Sequence, residues 1–236
     1  MASEEQVHDV FQSLAKQYDS ANDRISLGQH HVWKQALVDR AVAAAATNDP
    51  GMVLDVCCGT GDITERIART HPGVLAVGLD FSDEMLKVAR KRTEKLDNTM
   101  LIEGDAMNLP FDKGTFDAAV ISFGLRNTPD YHQVISEMAR VVRPGGVVAC
   151  LDASVPDNMM VKPFYKFYYK NVMTLLGGGI SKHEQYEYLY DSTQKFLSKA
   201  QLVDLFREVG LEFVNVRSFM FGAAALHVGV VPYEAA

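Results

Sequence analysis

The sequence predicts an α/β fold with a doubly wound, mostly parallel sheet of seven strands. Apolar runs of strand length alternate with helical stretches from residue 52 to residue 151, and this alternation is typical of βαβ units. The chain has 236 residues, 47% of them hydrophobic, which is enough to bury a sizeable core. A glycine turn, "CCGTGD" at 57–62, follows the first predicted strand, and sheets of this kind bind ligands at such turns.

Each element has its own signal in the sequence. The predicted strands cover residues 52–57, 74–79, 99–103, 117–122, 146–151, 211–217 and 223–231. The predicted helices after residue 60 cover 62–70, 83–95, 130–142 and 199–209. Helix 83–95 has the clearest beginning, because Ser82 can cap it and acidic residues in its first turn favour the helix dipole. The "RPGG" stretch at 143–146 is expected to end helix 130–142.

We expect a single domain over residues 1–236. Its parts are an N-terminal helical extension (1–48), a cofactor-binding core with the glycine turn (49–155), an insertion (156–198), and the last helix and strands (199–236). The extension has helical spacing of apolar residues at 3–17 and 31–46. The insertion contains six of the nine tyrosines, which sets it apart from the regular alternation of the core.

Charge and composition argue against several classes of function. The net charge of −7 disfavours a nucleic-acid partner, which needs a broad basic face. No apolar run approaches the about 18 residues that cross a membrane, and no signal peptide is evident, so a cytoplasmic location is expected. Cys57, Cys58 and Cys150 have the spacing of neither a zinc site nor a disulfide framework. We therefore expect no metal and interpret them as small buried strand residues.

The glycine turn by itself fits several nucleotides. A dinucleotide fingerprint with Gly59 and Gly61 needs a third glycine three positions later, where this chain has Thr64. A phosphate-binding P-loop needs a lysine that this turn lacks. Asp55 and Asp62 flank the turn and would repel a pyrophosphate, whereas they suit a cationic ammonium or sulfonium. An NAD-dependent oxidoreductase is disfavoured on these grounds.

Acidic residues also follow the next two strands. Asp80 comes nineteen residues after Gly61, and an acid in that place accepts hydrogen bonds from ribose hydroxyls. Asp105 ends the third strand, where it can meet the exocyclic amine of an adenine, while Ala106 and Met107 pack on the ring. The set fits a nucleoside without phosphates. The alternative is that each aspartate is an ordinary cap or turn residue.

Several motifs resemble those of a known family. "VLDVCCGTGD", "GLDFS", "GDAMNLPF" and "RVVRPGG" resemble successive motifs of class I S-adenosylmethionine-dependent methyltransferases, which have a Rossmann-like fold. "ISFGLRN" (121–127), "FGAAALHVG" (221–229) and "VFQSLAKQYDSAND" are similar to the menaquinone and ubiquinone biosynthesis C-methyltransferases. The resemblance extends from about Val10 to Gly229. The cysteines of "CCGTGD" and the stretch "LDASVPDN" depart from the family pattern.

The resemblance implies that S-adenosyl-L-methionine is the cofactor. The positions that match the family's cofactor motifs are Asp55, Gly59, Thr60, Gly61, Asp80, Phe81, Asp105, Ala106 and Ser122. A cofactor-binding sensor or scaffold without catalysis is the alternative from a different class.

The resemblance further implies methylation of a ring carbon of demethylmenaquinol, the last step of menaquinone biosynthesis. A benzoquinol of the ubiquinone pathway, or another small apolar acceptor, is the alternative. Arg126 and Asn127 are the candidate catalytic residues. Arg126 stays charged, so it is expected to stabilise a quinolate or hold a water, unless it forms a structural ion pair. Asn127 is expected to orient the acceptor or to cap helix 130–142.

The substrate is expected to be an isoprenoid quinol, bound under a lid formed by residues 156–198. The candidate contacts are Tyr18, Tyr165, Tyr169 and His227, although a lone histidine on an apolar strand is more often a core residue. Because such a substrate lives in the bilayer, we expect transient contact with the inner face of the membrane through "KPFYKFYYK" (162–170), which mixes bases with aromatics. A homodimer is left open.

Overall fold

A computed structural model describes residue 26 and residues 28–46, 48–161 and 191–233 of the chain. These residues form a seven-stranded sheet in the order β3-β2-β1-β4-β5-β7-β6. The strands are β1 (Gly51–Val56), β2 (Val74–Asp80), β3 (Thr99–Glu103), β4 (Phe116–Ser122), β5 (Val142–Ala153), β6 (Glu212–Phe219) and β7 (Ala224–Val230). β1 to β5 are parallel, and β7 lies antiparallel between β5 and β6. The predicted fold class is confirmed.

Helices cover both faces of the sheet. The helices with both ends in the described part of the chain are α1 (His30–Ala45), α2 (Asp62–Thr70), α3 (Asp83–Thr93), α4 (Tyr131–Val141) and α5 (Lys199–Glu208), and residues 191–195 are also helical. α1 and α2 pack on one face of the sheet, and α4 and α5 pack on the other. α3 packs beside β2 and β3 and contacts α2. The central strand β4 is buried along nearly its whole length, as is usual for a parallel strand covered on both faces.

The caps of two helices decide two sequence predictions. The Ser82 hydroxyl accepts a hydrogen bond from the backbone N–H of Met85 at 3.4 Å, so the predicted cap of α3 is confirmed. The cap of α4 is Asp130, whose carboxylate accepts from the backbone N–H of Gln133 at 3.0 Å. The prediction that Asn127 caps this helix is therefore wrong, because the chain still forms a separate 3-10 turn at Leu125–Asn127.

The "RPGG" stretch does not form a loop after α4. α4 ends at Val141, and β5 begins at the next residue and includes the stretch. The pairing register of β4 and β5 shifts between Phe116 and Ala118, and Gly145 has a φ of 79°. The helix therefore ends before the proline and glycines, as expected. These residues form a bulge at the beginning of β5, where the positive φ of Gly145 is easily adopted only by glycine.

Three further expectations concern cysteines, boundaries and the membrane. Cys150 is buried in β5, as predicted, and Cys58 is also buried. Cys57, which has a φ of 55°, is half-buried. Cys57 and Cys58 both follow the end of β1 at Val56, so the prediction that they are strand residues is wrong. The domain boundaries stay predictions, and much of the extension and of the insertion lies outside the described residues. No described helix is both long and apolar enough to cross a membrane.

Candidate functional site

A cavity of about 460 Å³ opens at the carboxyl ends of β1 to β4, within the size range of small-molecule sites. Of the predicted cofactor residues, its wall includes Asp55, Gly59, Thr60, Asp80, Phe81, Asp105, Ala106 and Ser122. The wall also includes Asn127, one of the two candidate catalytic residues. The described residues contain no cluster of His, Cys, Asp or Glu that could hold a metal ion.

The glycine turn owes its shape to two left-handed residues. Gly59 has a φ of 54°, and a Cβ there would point into open space. Gly61 has a φ of 76° and is the N-cap of α2. A Cβ on Gly61 would lie 2.9 Å from the Cβ of Ala89 on α3. Gly61 therefore serves the packing of α3 against the turn, and it is the predicted cofactor residue that does not form part of the cavity wall.

Thr64 explains why the third glycine of a dinucleotide fingerprint is missing. Its hydroxyl donates to Asp55 Oδ2 at 2.7 Å, and its backbone N–H donates to the same oxygen at 3.1 Å. The close approach of helix and strand is provided by Gly78 of β2 instead, where a Cβ would lie 2.8 Å from Thr64 Oγ1. Because the glycine is on the strand, the helix position can carry a hydroxyl that holds Asp55.

Asp55 is a buried acid at the floor of the cavity. Desolvation raises its pKa to about 7, against the opposing hydrogen bonds from Thr64 and with help from the charges of Asp62 and Asp80. Both donors from Thr64 end on Oδ2, and no described residue donates to Oδ1. A cation that approaches Oδ1 would therefore lower this pKa, so the carboxyl suits an ammonium group.

Asp80 is fixed by backbone donors. Gly59 N–H donates to Oδ2 at 2.8 Å, and Ser82 N–H donates to Oδ1 at 2.9 Å. Burial raises the pKa of this carboxyl. The backbone of Phe81 also hydrogen-bonds this carboxyl. The acceptor capacity that remains on the two oxygens can serve a ribose hydroxyl without movement of the carboxylate.

The remaining wall fits an adenine ring and a polar neighbour. Asp105 accepts from the backbone N–H of Met107 at 2.8 Å, which aims the carboxylate, while Phe81 and Ala106 supply apolar surface. The hydroxyl oxygen of Ser122 is buried and has no hydrogen-bond partner among the described residues. A buried hydroxyl of this kind normally finds a partner, and a polar ligand atom in the cavity would provide one.

Arg126 lies behind the cavity wall. Its side chain is 6% exposed and forms an ion pair with Asp152 of β5. Its Nη1 also donates to the backbone oxygen of Phe123 at 2.8 Å, and Asn127 Nδ2 donates to the same oxygen at 3.3 Å. The ion pair considered from the sequence is thus present, and the catalytic role of Arg126 stays a prediction.

Of the four candidate substrate residues, His227 is the one that the structure describes, and it is not part of the wall. His227 lies on β7, with Nε2 3.1 Å from the backbone oxygen of Lys199. Burial lowers the pKa of His227 to about 4, so the ring is neutral at physiological pH. Its surroundings are those of the core residue considered as the alternative. Tyr18, Tyr165 and Tyr169 lie outside the described residues.

The sequence did not single out three residues at or near the site. Lys34 of α1 contributes to the wall, as does Phe123, which has a φ of 57°. Asp152 lies near the carboxyl end of β5, as Asp55 and Asp80 lie near the ends of their strands. The aspartate after an apolar run in "CLDAS" could therefore have indicated this residue from the sequence. Lys34 carried no such signal, because its contact with Asp62 spans 28 positions in the sequence.

Comparison with known proteins gives one family over nearly the whole chain. A family model described as "ubiE/COQ5 methyltransferase family" matches residues 1–231. A relative named demethylmenaquinone methyltransferase in Shouchella clausii is 44% identical over 236 residues, which is 98% of either chain. One of the same name in Staphylococcus saprophyticus is 42% identical over 231 residues, which is 97% of either chain.

Solved structures share the fold at low identity. A phosphoethanolamine N-methyltransferase 2 from Haemonchus contortus, in complex with S-adenosyl-L-methionine, is 16% identical with a TM-score of 0.66, covering 94% of this chain and 60% of that one. A SAM-dependent methyltransferase from Aquifex aeolicus is 14% identical with a TM-score of 0.59. The match covers 82% of this chain and 89% of that one. These structures support the Rossmann-like fold.

S-adenosylmethionine is the cofactor, and the wall has groups for each of its parts. Asp80 suits the ribose hydroxyls, and Asp105, Ala106 and Phe81 suit the adenine. Asp55 suits the positively charged amino-acid end. The wall is thus rich in acceptors and carboxylates, as a cationic nucleoside without phosphates requires.

Cofactor binding should release a proton from Asp55. Below pH 7 this carboxyl is mostly protonated in the free protein, because its pKa is about 7, and a bound ammonium favours the ionised form. Calorimetry with S-adenosylhomocysteine at pH 6, in buffers of different ionisation enthalpy, should detect release of about one proton. The free protein binds more protons than the complex, so the affinity should rise as the pH increases from 6 to 7.

Two controls assign the proton to Asp55. Asp55→Asn keeps an oxygen that accepts from Thr64 and should bind without proton release. 5′-Methylthioadenosine lacks the amino-acid end and should release no proton from the unmodified protein. An affinity for S-adenosylhomocysteine that does not depend on pH in this range would contradict the assignment.

Proposed function

We propose that this chain, which belongs to the ubiE/COQ5 methyltransferase family, methylates a ring carbon of demethylmenaquinol with S-adenosylmethionine as the methyl donor. The chain is therefore an enzyme, a C-methyltransferase. The observation that carries the proposal is the identity of 42% and 44%, over nearly the full length, to enzymes named demethylmenaquinone methyltransferase. A benzoquinol of the ubiquinone pathway is the alternative acceptor.

The chemistry needs alignment, exclusion of water and removal of one proton. When bound, the sulfonium supplies an electrophilic methyl group. Asp80 and Asp105, at the ends of β2 and β3, hold the nucleoside, and Asp55 of β1 holds the amino-acid end. The methyl on the sulfur between these two ends then faces the turn after β4. Orientation of the two reactants can lower the barrier by about 7–11 kcal/mol. The ring carbon becomes a better nucleophile when the neighbouring hydroxyl loses its proton. The carbon forms a bond to the methyl group as the bond from sulfur to the methyl group breaks, which leaves S-adenosylhomocysteine. The hydrogen of that carbon then leaves as a proton and the oxygen is reprotonated, so that one proton is released in total.

The turn after β4 provides the surface for the acceptor. Phe123 and Gly124 form an apolar part of the wall, and Asn127 adds an amide that both donates and accepts hydrogen bonds. This combination supports a flat aromatic ring with a hydroxyl at its edge. We infer that Asn127 orients the quinol hydroxyl and that the apolar wall excludes water from the methyl group.

Arg126 acts on this turn through Asp152 and Phe123. Asp152 accepts from the backbone N–H of Arg126 at 3.3 Å as well as from its guanidinium, so the pair ties the turn to the end of β5. We infer a positioning role for Arg126, which holds the turn after β4 in place for the acceptor. In this account the guanidinium does not need to take a proton.

The substitution Arg126→Lys tests the positioning role. Lysine keeps a positive charge beside the buried Asp152. Arg126→Ala would instead leave the negative charge of Asp152 unpaired, which would destabilise the fold by about 3–5 kcal/mol. Because lysine cannot bind the carboxylate and the Phe123 oxygen in the same fork, kcat should fall at least about tenfold. The dissociation constant of S-adenosylhomocysteine should change less than about twofold.

Arg140→Lys is the matched control, since Arg140 pairs with Glu137 on α4 and also donates to backbone oxygens without forming part of the wall. It should leave kcat nearly unchanged. Equal losses of cofactor affinity and turnover in Arg126→Lys would refute a role specific to the acceptor.

The isoprenoid tail of the quinol motivates two further proposals. Residues 156–198 serve as the lid over the tail, and Tyr18, Tyr165 and Tyr169 are candidate contacts of the substrate. Residues 162–170 make brief contact with the inner face of the membrane, where the substrate dissolves. The enzyme otherwise stays in the cytoplasm and needs no nucleic-acid partner, and a homodimer is compatible with this arrangement.

The identity of the acceptor can be read from the product. The protein is incubated with isotopically labelled S-adenosylmethionine and a reduced demethylated naphthoquinol or benzoquinol, and the products are analysed by mass spectrometry. We expect one labelled methyl group on a ring carbon of the naphthoquinol. The oxidised quinone is the control and should not react, because its ring carbon is not nucleophilic. Methylation of the benzoquinol alone would select the alternative acceptor, and transfer to neither would refute the proposal.

A further inference from the structure

Lys34 is a cation in a wall of carboxylates. It lies on α1, ahead of the core, yet its side chain is 7% exposed and reaches the cavity. The wall contains the four acids Asp55, Asp62, Asp80 and Asp105. Among the described residues of the wall, Lys34 alone carries a permanent positive charge. A positive charge held in this place calls for an explanation beyond the packing of α1.

The local ion cluster has one positive charge in excess. Lys34 Nζ lies 2.7 Å from Asp62 Oδ2, and Arg66 Nε lies 2.9 Å from Asp62 Oδ1. Although burial acts to raise it, these two cations lower the pKa of Asp62 to about 2. Two cations thus share one carboxylate that stays ionised at every working pH. The cluster can accept a second anion.

The lysine has donors to offer such an anion. An ammonium has three N–H groups, and in the described part of the chain one of them is used, by Asp62. The ammonium lies beside the start of α2, where Gly61 is an N-cap without a side chain to cap the helix. The positive end of the helix dipole adds to the charge of Lys34 at this point.

S-adenosylmethionine brings one anionic group, its α-carboxylate. Asp80 and Asp105 fix the nucleoside end on one side of the glycine turn, so the amino-acid end falls on the other side, between Asp55 and Lys34. We propose that Lys34 binds the α-carboxylate of the cofactor, opposite Asp55, which takes the ammonium. The two charged groups of the amino-acid end then meet two charged groups of opposite sign.

This arrangement gives α1 a role in cofactor binding. Asp62 positions the lysine before the cofactor arrives, and Arg66 links the cluster back to α1 through His31 Nδ1, 2.6 Å from Arg66 Nη2. Through Lys34, α1 therefore contributes a side chain to the cofactor site. The inference rests on the cofactor alone and does not depend on which quinol is methylated.

The test compares two ligands that differ in the carboxylate. S-adenosylhomocysteine and its decarboxylated analogue, S-adenosyl-3-thiopropylamine, have the same nucleoside and the same ammonium. Dissociation constants are measured by calorimetry for the unmodified protein and for Lys34→Met, which keeps the length of the side chain without its charge. We expect Lys34→Met to raise the dissociation constant of S-adenosylhomocysteine at least about tenfold and that of the analogue less than about twofold.

Two more variants separate this role from a structural ion pair. The preference for the carboxylate is the ratio of the dissociation constants of the analogue and of S-adenosylhomocysteine. Lys34→Arg should keep most of this ratio, and a loss of the ratio in this variant would count against the proposal even if Lys34→Met does not fold. Arg66→Met removes the other cation of Asp62, which lies outside the wall, and should leave the preference for the carboxylate within about twofold of its original value.

Equal weakening of both ligands by Lys34→Met would overturn the proposal, because it would mean that Lys34 only holds α1 against α2. An unmodified protein that binds both ligands equally well would overturn it as well. Since no acceptor is present, neither result bears on the methylation of a quinol.

Discussion

The buried carboxyl of Asp55, held by the two donors of Thr64, is the interaction on which the site depends. It fixes the start of α2 against the end of β1, and it sets an acid whose pKa is about 7 at the floor of the cavity. Burial makes its ionised form costly until a cation arrives. The same carboxyl therefore orders the turn and selects a positively charged ligand over a phosphate.

The other acids of the wall follow the same design. Asp80 accepts from Ser82 N–H of its own turn and from Gly59 N–H of the neighbouring glycine turn. Asp105 accepts from Met107 N–H of its own turn, so each carboxylate is aimed before the ligand binds. At the next strand ends the charge is neutralised, because Asp152 is paired with Arg126, and the wall becomes apolar at Phe123. An anionic half for a cationic cofactor thus borders an apolar half for an aromatic acceptor.

Much of this could be predicted because it is local in the sequence. Each acid lies at or just beyond the carboxyl end of a strand. The rule that ligands bind at the carboxyl ends of parallel strands was therefore sufficient to predict that Asp55, Asp80 and Asp105 form one site. The absence of a third glycine was also informative, although its reason, the exchange between Thr64 and Gly78, needed the packing of helix on strand.

What could not be predicted depends on contacts between distant parts of the chain. Lys34 reaches the wall because α1 crosses the start of α2, and no spacing in the sequence encodes this crossing. The partner of Arg126 was one of several nearby acids until β5 was placed beside β4. A cap was one of two roles considered for Asn127, and the structure gives this role to Asp130, three positions later and next to the helix. The bulge at Gly145 depends on the pairing of two strands.

The position of S-adenosylhomocysteine in a crystal structure of the complex decides whether these carboxylates select the cofactor. We expect the ribose hydroxyls within hydrogen-bond distance of the Asp80 carboxylate, the adenine against Ala106 and Phe81, and the ammonium at Asp55 Oδ1. Density for the ligand away from the ends of β1 to β3, or in that place with its amino-acid end turned away from Asp55, would show that Asp55 does not bind the ammonium.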